Sequence, residues 1–270
     1  MMNEDIAADL RAEYAELAAL CHTLAPGQWQ TKTAFYGWTF WDEIAHLCFF
    51  DEAGLLAATD AAAFARETVA ALGRMKTGQE FIDIVRDTYR HLDGASLLAK
   101  WELTSARLAD TLAALDPKAR LPWYGPSMGV RSFATARLME TWAHGQDLWD
   151  ALGRARPATP RLKHIAHLGV TTYSWTFVNR NLPVPEPVPF VALTAPDGAA
   201  WSWGDSASLQ FVRGPALDFC LVVTQRRNVA DTALAVSAGS ASQWLAIAQC
   251  FAGPPDAGPA PGVRKGAAVA

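Results

Sequence analysis

The chain has few of the features that assign a protein to a class at once. It contains only four cysteines among 270 residues and no CxxC pair, which argues against a disulfide framework and a cysteine-based zinc knuckle. No run of about 18 uncharged apolar residues could span a bilayer, and the amino terminus lacks the basic-then-apolar order of an export signal. We therefore expect a cytoplasmic protein with reduced, buried thiols.

An excess of positive charge is also missing. Lys and Arg number 23 against 27 Asp and Glu, for a net charge of -4, and no Lys/Arg run stands out. This composition lacks the basic footprint of a nucleic-acid-binding protein. The hydrophobic content of 51% is enough for one large core or two modest ones. We expect a small-molecule substrate and no nucleic-acid or membrane partner, and we allow for a homodimer.

Apolar residues at helical spacing dominate the first two thirds of the chain. The second predicted helix begins near Phe40, because Thr39 and Asp42 have the spacing of a capping box. A single long helix is expected over 77–115, with a kink at Gly94. The other predicted helices cover 3–24, 130–152 and the run after Pro160 to about residue 179. This part is predicted to be a helical bundle.

The composition changes at the proline-rich "LPVPEPVP" segment. Beyond it, "FVALTAP", "AAWSWG" and "SLQFVRG" are typical of short strands in a small meander, and Pro215 is suited to the first turn of a helix. We place a domain boundary here. The prediction is a helical domain over 1–180, a small α/β domain over 181–253 and a disordered Pro/Gly/Ala-rich tail over 254–270. The fold class is α+β.

Three side chains could bind a metal ion. Glu140 and His144 are one helical turn apart, and His46 lies in the apolar run "EIAHLCFF", where an unpaired imidazole is costly to bury. Three such ligands from two helices leave a fourth position open, as in a catalytic zinc site. The alternative is that His46 bonds to Asp42 and Glu140 pairs with Arg137, with no metal involved. Spacing alone does not decide between them.

Other polar residues near these positions carry weaker hypotheses. Asp147 could orient His144 from outside the ligand set. His164 and His167, three residues apart, could face the mouth of the bundle or form a polar edge.

Two segments resemble a known family. "GWTFWDEIAHLCFFDE" and "METWAHGQDLWDALG" are similar to the metal-binding domain of mycothiol-dependent maleylpyruvate isomerase, a DinB-like four-helix bundle. "GPALDFCLVVTQRRNVADTALAV" resembles the small α/β (SCP2-like) domain that follows it. The whole chain resembles more closely an uncharacterised metal-binding subfamily, sometimes labelled a wyosine-base-formation domain. The acidic composition makes a tRNA partner unexpected.

The resemblance implies roles for four residues. His46, Glu140 and His144 would bind the metal, and Arg226, or its neighbour Arg227, would support the active site. Zinc suits these ligands best, although nickel or iron would also fit. The implied activity is isomerisation or S-transfer with a low-molecular-weight thiol such as mycothiol or glutathione. A metal-dependent amide or ester hydrolase and a non-catalytic metal- or ligand-binding protein remain the alternatives.

Overall fold

The computed structural model of the protein describes residues 2–76 and 80–264. The chain forms two compact units that divide between Ala151 and Leu152, whereas the predicted boundary lies after residue 180. The difference arises from the helical segment at 162–178, which we expect in the bundle. Its first helix packs on a helix of the second unit.

Four long helices form the bundle of the first unit. Helices α1, α2, α5 and α6 pack against one another around its core, and α3 and α4 lie against α2. A two-stranded antiparallel hairpin, β1 with β2, leads into α6. The bounds are α1 Met2–Cys21, α2 Phe40–Thr59, α3 Ala61–Lys76, α4 Phe81–Tyr89, α5 Gly94–Ala114, β1 Arg120–Leu121, β2 Met128–Gly129 and α6 Val130–Ala151.

The start of α2 is fixed by the predicted capping box, which is confirmed. The Thr39 hydroxyl accepts the Asp42 backbone N–H at 3.1 Å, and the Asp42 carboxylate accepts the Thr39 N–H at 2.9 Å. Asp42 also accepts a hydrogen bond from Arg86 Nε at 2.8 Å. This carboxylate is therefore engaged at the helix start, and the alternative that it serves His46 is wrong.

The single helix expected over 77–115 is wrong. The structure has two helices, α4 and α5, and Asp93 caps the second by accepting the Ser96 N–H at 2.8 Å. Gly94 is the first residue of α5 instead of a kink within a helix. A Cβ there would lie 2.1 Å from the Trp29 ring, so close packing requires glycine at this position. Residues 77–79 lie outside the described residues.

The second unit combines a small sheet with four short α-helices in its described part. The strand order is β4-β3-β5-β6, with β3 parallel to β5 and the other pairs antiparallel. The expected meander is therefore wrong, because β5 pairs with the far edge of β3 instead of with β4. The bounds are α7 Leu162–Thr171, α8 Tyr173–Val178, β3 Phe190–Thr194, β4 Ala200–Trp203, β5 Phe211–Pro215, α9 Ala216–Val223, β6 Ala235–Val236 and α10 Ser240–Leu245.

Part of the tail that we predict as disordered is held in place. The Asp256 carbonyl accepts a hydrogen bond from Gln225 Nε2 at 2.6 Å, and the Pro259 carbonyl accepts one from Asn228 Nδ2 at 2.9 Å. Amide side chains of the second unit thus anchor a segment whose composition indicates disorder. The disordered tail stays a prediction, and residues 265–270 lie outside the described residues.

Helices and a small sheet in one chain confirm the α+β fold class. No helix in the described part of the chain is long and apolar enough to cross a membrane. The four cysteines are buried and form no disulfide, as expected.

Candidate metal centre

The three predicted ligands come together between α2 and α6. Nε2 of His46 lies 3.6 Å from Oε2 of Glu140, and Nε2 of His144 lies 3.3 Å from the same oxygen. One ligand atom from each residue lies within 4.8 Å of the others. Two helices that are far apart in sequence thus bring two imidazoles and one carboxylate to a single point.

The donor spacing fits a small divalent cation. With metal–ligand distances of about 2.0–2.1 Å, the donor atoms of a tetrahedral site lie roughly 3.3 Å apart. The separations of Glu140 Oε2 from the two imidazole nitrogens, 3.3 and 3.6 Å, are close to that value. Within the described part of the chain, Nδ1 of His46 is buried and has no hydrogen-bond partner, whereas Nε2 of the same ring faces Glu140.

The charges of the cluster also suit a cation. Burial alone would raise the pKa of Glu140, but the imidazoles of His144 and His46 hold that pKa well below its usual range. Burial, reinforced by the nearby His144, lowers the pKa of His46 to about 4. Near neutral pH the cluster therefore offers an ionised carboxylate and a neutral His46 imidazole, which are the protonation states that a metal ion requires.

His144 contacts Glu43, a residue that was not predicted from the sequence. Nδ1 of His144 lies 2.6 Å from Oε2 of Glu43, and the other Glu43 oxygen accepts the Thr33 hydroxyl at 2.7 Å. Metal-ligating histidines commonly bond a carboxylate in this way through the nitrogen that does not bind the metal. Burial and the charge of Asp147 raise the pKa of Glu43, while His144 and Thr33 oppose the shift.

Asp147, the orienting residue proposed from the sequence, lies in the same buried group. Its carboxylate is within 4.8 Å of ligand atoms of Glu43 and His144, but the short contact to the imidazole comes from Glu43. The position of Glu43, three residues before His46 on α2, places both side chains on one face of that helix. The spacing of Glu43 and His46 in the sequence therefore indicates that both could belong to one site. However, acids are also common in the first turn of a helix because they interact favourably with the helix dipole.

Aromatic rings surround the two imidazoles. Trp38 is stacked on His144 with an interplanar angle of 9° and lies 5.3 Å from the His46 ring. Phe35 meets His144 edge-on at 5.2 Å, and Phe50 meets His46 edge-on at 4.8 Å. The His46 and Glu140 side chains keep 14% and 24% of their surface exposed, against 4% for His144. Solvent therefore reaches the cluster from the side of His46 and Glu140.

A second polar layer lies one turn away from the ligands. Arg137 donates from Nε to Asp51 at 2.8 Å, and both side chains are buried. The alternative in which Arg137 pairs with Glu140 is therefore wrong for the direct contact. Arg137 is paired with Asp51 on α2, and Glu140 contacts the two imidazoles instead.

The remaining candidates belong to the second unit. Arg226 is buried and donates from Nη1 to the Thr224 carbonyl at 2.8 Å, while Arg227 donates to the Arg226 carbonyl at 2.6 Å. His167 accepts a hydrogen bond from Trp203 Nε1 at 3.3 Å, and His164 is half-buried on the same helix. The roles that we predict for these residues remain predictions.

The fold and the cluster define a two-unit α+β protein whose helical bundle unites three side chains of metal-ligand type. A family model described as the mycothiol maleylpyruvate isomerase N-terminal domain matches residues 10–149. The chain belongs to this family, as its resemblance predicts.

Relatives and solved structures resemble the chain over most of its length. Two uncharacterized proteins of Mycobacterium tuberculosis, MT0041 of strain CDC 1551 / Oshkosh and Rv0036c of strain H37Rv, are each 45% identical over 251 residues, covering 93% of this chain and 96% of the relative. The crystal structure of the mycothiol-dependent maleylpyruvate isomerase matches with a TM-score of 0.53 and 14% identity, over 82% of this chain and 88% of that chain. A histidine-to-alanine mutant of that enzyme matches equally, at 15% identity. At these identities the structural matches establish the fold alone.

Proposed function

We propose that the protein is a divalent-metal-dependent enzyme that uses a low-molecular-weight thiol to isomerise a small electrophilic substrate or to transfer sulfur to it. His46, Glu140 and His144 would hold the ion, most suitably Zn²⁺. The observation that carries the proposal is the convergence of two imidazole nitrogens on one carboxylate oxygen at 3.6 and 3.3 Å. Membership of the family supports the thiol-dependent reading.

A divalent cation bound by three protein ligands would lower the pKa of a thiol or water at its open position and so generate a nucleophile near neutral pH. The protein's own residues supply the setting. Glu43 contacts Nδ1 of His144, Trp38 is stacked on the His144 ring and Phe50 packs edge-on against His46. The partial exposure of His46 and Glu140 leaves an approach for the substrate beside the ligands.

The chemistry of the substrate follows from the nucleophile. A thiolate sulfur forms a bond to an electrophilic carbon of an unsaturated carbonyl compound, and the electron pair moves to the carbonyl oxygen. Rotation about the resulting single bond and expulsion of the thiolate give an isomer, whereas protonation of the adduct gives a thioether. Arg226 is proposed, from the resemblance, to support this site.

The experiment combines metal analysis with a thiol-dependence assay. The full chain, purified without a His tag, should contain close to one equivalent of a divalent metal. It should also catalyse adduct formation or isomerisation in a panel of unsaturated carbonyl compounds only when mycothiol or glutathione is present. His46→Ala should lose both properties. His22→Ala is the matched control, because His22 lies in the same unit but is exposed and paired with Glu102.

Other outcomes separate the alternatives. Metal-loaded protein that cleaves esters or amides without a thiol would support the hydrolase and reject the thiol-dependent enzyme. Metal-loaded protein inactive in both assays would support a non-catalytic binding protein. Protein that takes up no metal would reject both enzymatic proposals.

A further inference from the structure

A short loop ahead of α2 is tied to the metal centre by its own side chains. We define the Trp38 loop as residues 31–39. Within it, the Thr33 N–H donates to the Trp38 carbonyl at 2.7 Å, and the Phe35 N–H donates to the Thr33 hydroxyl at 3.2 Å. A bridge between Lys32 and Thr39 closes the base of the loop. Thr33 is therefore the residue around which the loop is organised.

The Thr33 hydroxyl connects this loop to α2. It donates to Oε1 of Glu43 at 2.7 Å, and Oε2 of the same carboxylate lies 2.6 Å from Nδ1 of His144. Thr33 is buried and Glu43 is completely so, so water does not compete for either bond. Both Glu43 oxygens are thereby used, one toward the loop and one toward a predicted metal ligand.

The same loop also covers the site. Trp38 is stacked on the His144 ring and also contacts His46, and Phe35 meets His144 edge-on. Any change in the orientation of His144 therefore affects two independent contacts of the loop, the hydrogen-bonded chain through Glu43 and the stacked Trp38 ring. A loop and an imidazole joined in two ways should not move independently.

We propose that the Thr33–Glu43–His144 chain couples metal binding to closure of the Trp38 loop, with Thr33 and Glu43 as positioning residues. The inference rests on the proposed metal site. The contact between Glu43 and Nδ1 of His144 leaves Nε2 facing Glu140, and the Thr33 hydroxyl holds the Glu43 carboxylate in the position that makes this contact. Coupling between two equilibria is reciprocal. If an ordered loop strengthens metal binding, the metal must order the loop by the same factor.

The competing explanation is that Thr33 and Glu43 only anchor the start of α2. In that case their loss would destabilise the fold while the affinity of the folded protein for a metal stayed unchanged. Coupling instead requires a change in metal affinity that exceeds what an equal loss of stability elsewhere on α2 produces. Tyr89→Phe is the control for stability. The Tyr89 hydroxyl, on α4, donates to the carboxylate of Glu52, which lies on α2 away from the imidazoles.

The experiment measures Zn²⁺ affinity and loop protection in the full chain. Zn²⁺ affinity is obtained by competition with a chromophoric chelator for the wild type, Thr33→Val, Thr33→Ser, Glu43→Gln and Tyr89→Phe. We expect Glu43→Gln and Thr33→Val to weaken Zn²⁺ binding by about 10- to 100-fold. Thr33→Ser keeps the hydroxyl and should bind like the wild type, as should Tyr89→Phe.

Amide hydrogen exchange of the loop supplies the second measurement. In the wild type, Zn²⁺ should slow exchange in residues 31–39, and in Thr33→Val this protection should fall by the factor lost in affinity. Unchanged affinity in Thr33→Val, or a loss equal to that of Tyr89→Phe, would overturn the coupling while the metal site stood. Wild-type protein that binds no Zn²⁺ would overturn the metal site itself and the coupling with it. If Thr33→Val does not fold, the protection of residues 31–39 by saturating Zn²⁺ in Glu43→Gln decides: protection as large as that in Tyr89→Phe would overturn the coupling.

Discussion

Replacement of Arg137 by methionine tests whether the buried layer beneath the ligands holds α2 and α6 together. Asp51 accepts three hydrogen bonds there, from Arg137 Nε at 2.8 Å, the Tyr14 hydroxyl at 2.9 Å and Trp101 Nε1 at 2.9 Å. The Asp51 and Arg137 side chains are 0% and 4% exposed. Arg137→Met keeps the length and packing of the side chain but leaves the carboxylate with two neutral donors.

The expected loss of stability is large, because one charge remains buried without its partner. Breaking a buried pair from one side costs about 3–5 kcal/mol, whereas removing both charges is far less costly. We therefore expect about 3–5 kcal/mol for Arg137→Met in the unfolding of the first unit. The double variant Asp51→Asn/Arg137→Met should recover more than half of that loss, because no charge is then left uncompensated.

Urea unfolding of the metal-free full chain near pH 7 gives these free energies. Arg11→Met is the control, since Arg11 pairs with Asp110 at 2.7 Å on the surface, with 42% and 72% of the two side chains exposed. Exposed pairs contribute about 1 kcal/mol or less. If Arg137→Met costs no more than Arg11→Met, or the double variant recovers nothing, this account of the buried layer is incorrect.

Two further predictions concern the bundle. In a thermal unfolding assay, Gly94→Ala should destabilise the first unit by about 1–3 kcal/mol, because the new Cβ would lie 2.1 Å from the Trp29 ring. Gly73→Ala is the control. Its Cβ would meet no atom within 4 Å at an exposed helix position, so this variant should be neutral or slightly stabilising in the same assay. Burial alone would raise the pKa of Asp42, but hydrogen bonds from Arg86 and Thr39 lower it from 3.8, so the ionised carboxylate contributes stability above that pH and loses it on acidification. Arg86→Met should thus lower the free energy of unfolding by about 1 kcal/mol at pH 7, since Arg86 is partly exposed. This loss of stability should become smaller as the pH falls below 3.8. A loss that does not change with pH would contradict the assignment.

Local patterns in the sequence were enough to predict the parts of the fold that local physics determines. The capping box at Thr39 and Asp42 fixes the start of α2 because both partners lie within four residues. The three ligand candidates could be named because Glu140 and His144 share one helical turn and His46 interrupts an apolar run. In each case the informative residues are close together in the chain, or their chemistry is unusual for their position.

Features that depend on distant partners were not predictable in this way. Glu43 acquires its role only when α6 places His144 2.6 Å away. The parallel pairing of β3 with β5 depends on which edge of β3 the chain reaches. The hydrogen bonds of Asp256 and Pro259 depend on amide side chains that precede them by 31 residues. The break between α4 and α5 had a local signal in Asp93, but the continuous helical periodicity on both sides concealed it.

Asp42 and Glu43 are adjacent acids on α2 with different partners: Asp42 is bound to the surface residue Arg86 and Glu43 to the interior residue His144. Successive helical residues are rotated by roughly 100°, so the different partners of Asp42 and Glu43 depend on the positions of the two residues within the helical turn. Inserting or deleting one residue between Thr39 and Glu43 would turn the Glu43 side chain toward water and leave Nδ1 of His144 without this carboxylate. The length of that first turn is therefore expected to be under strict constraint.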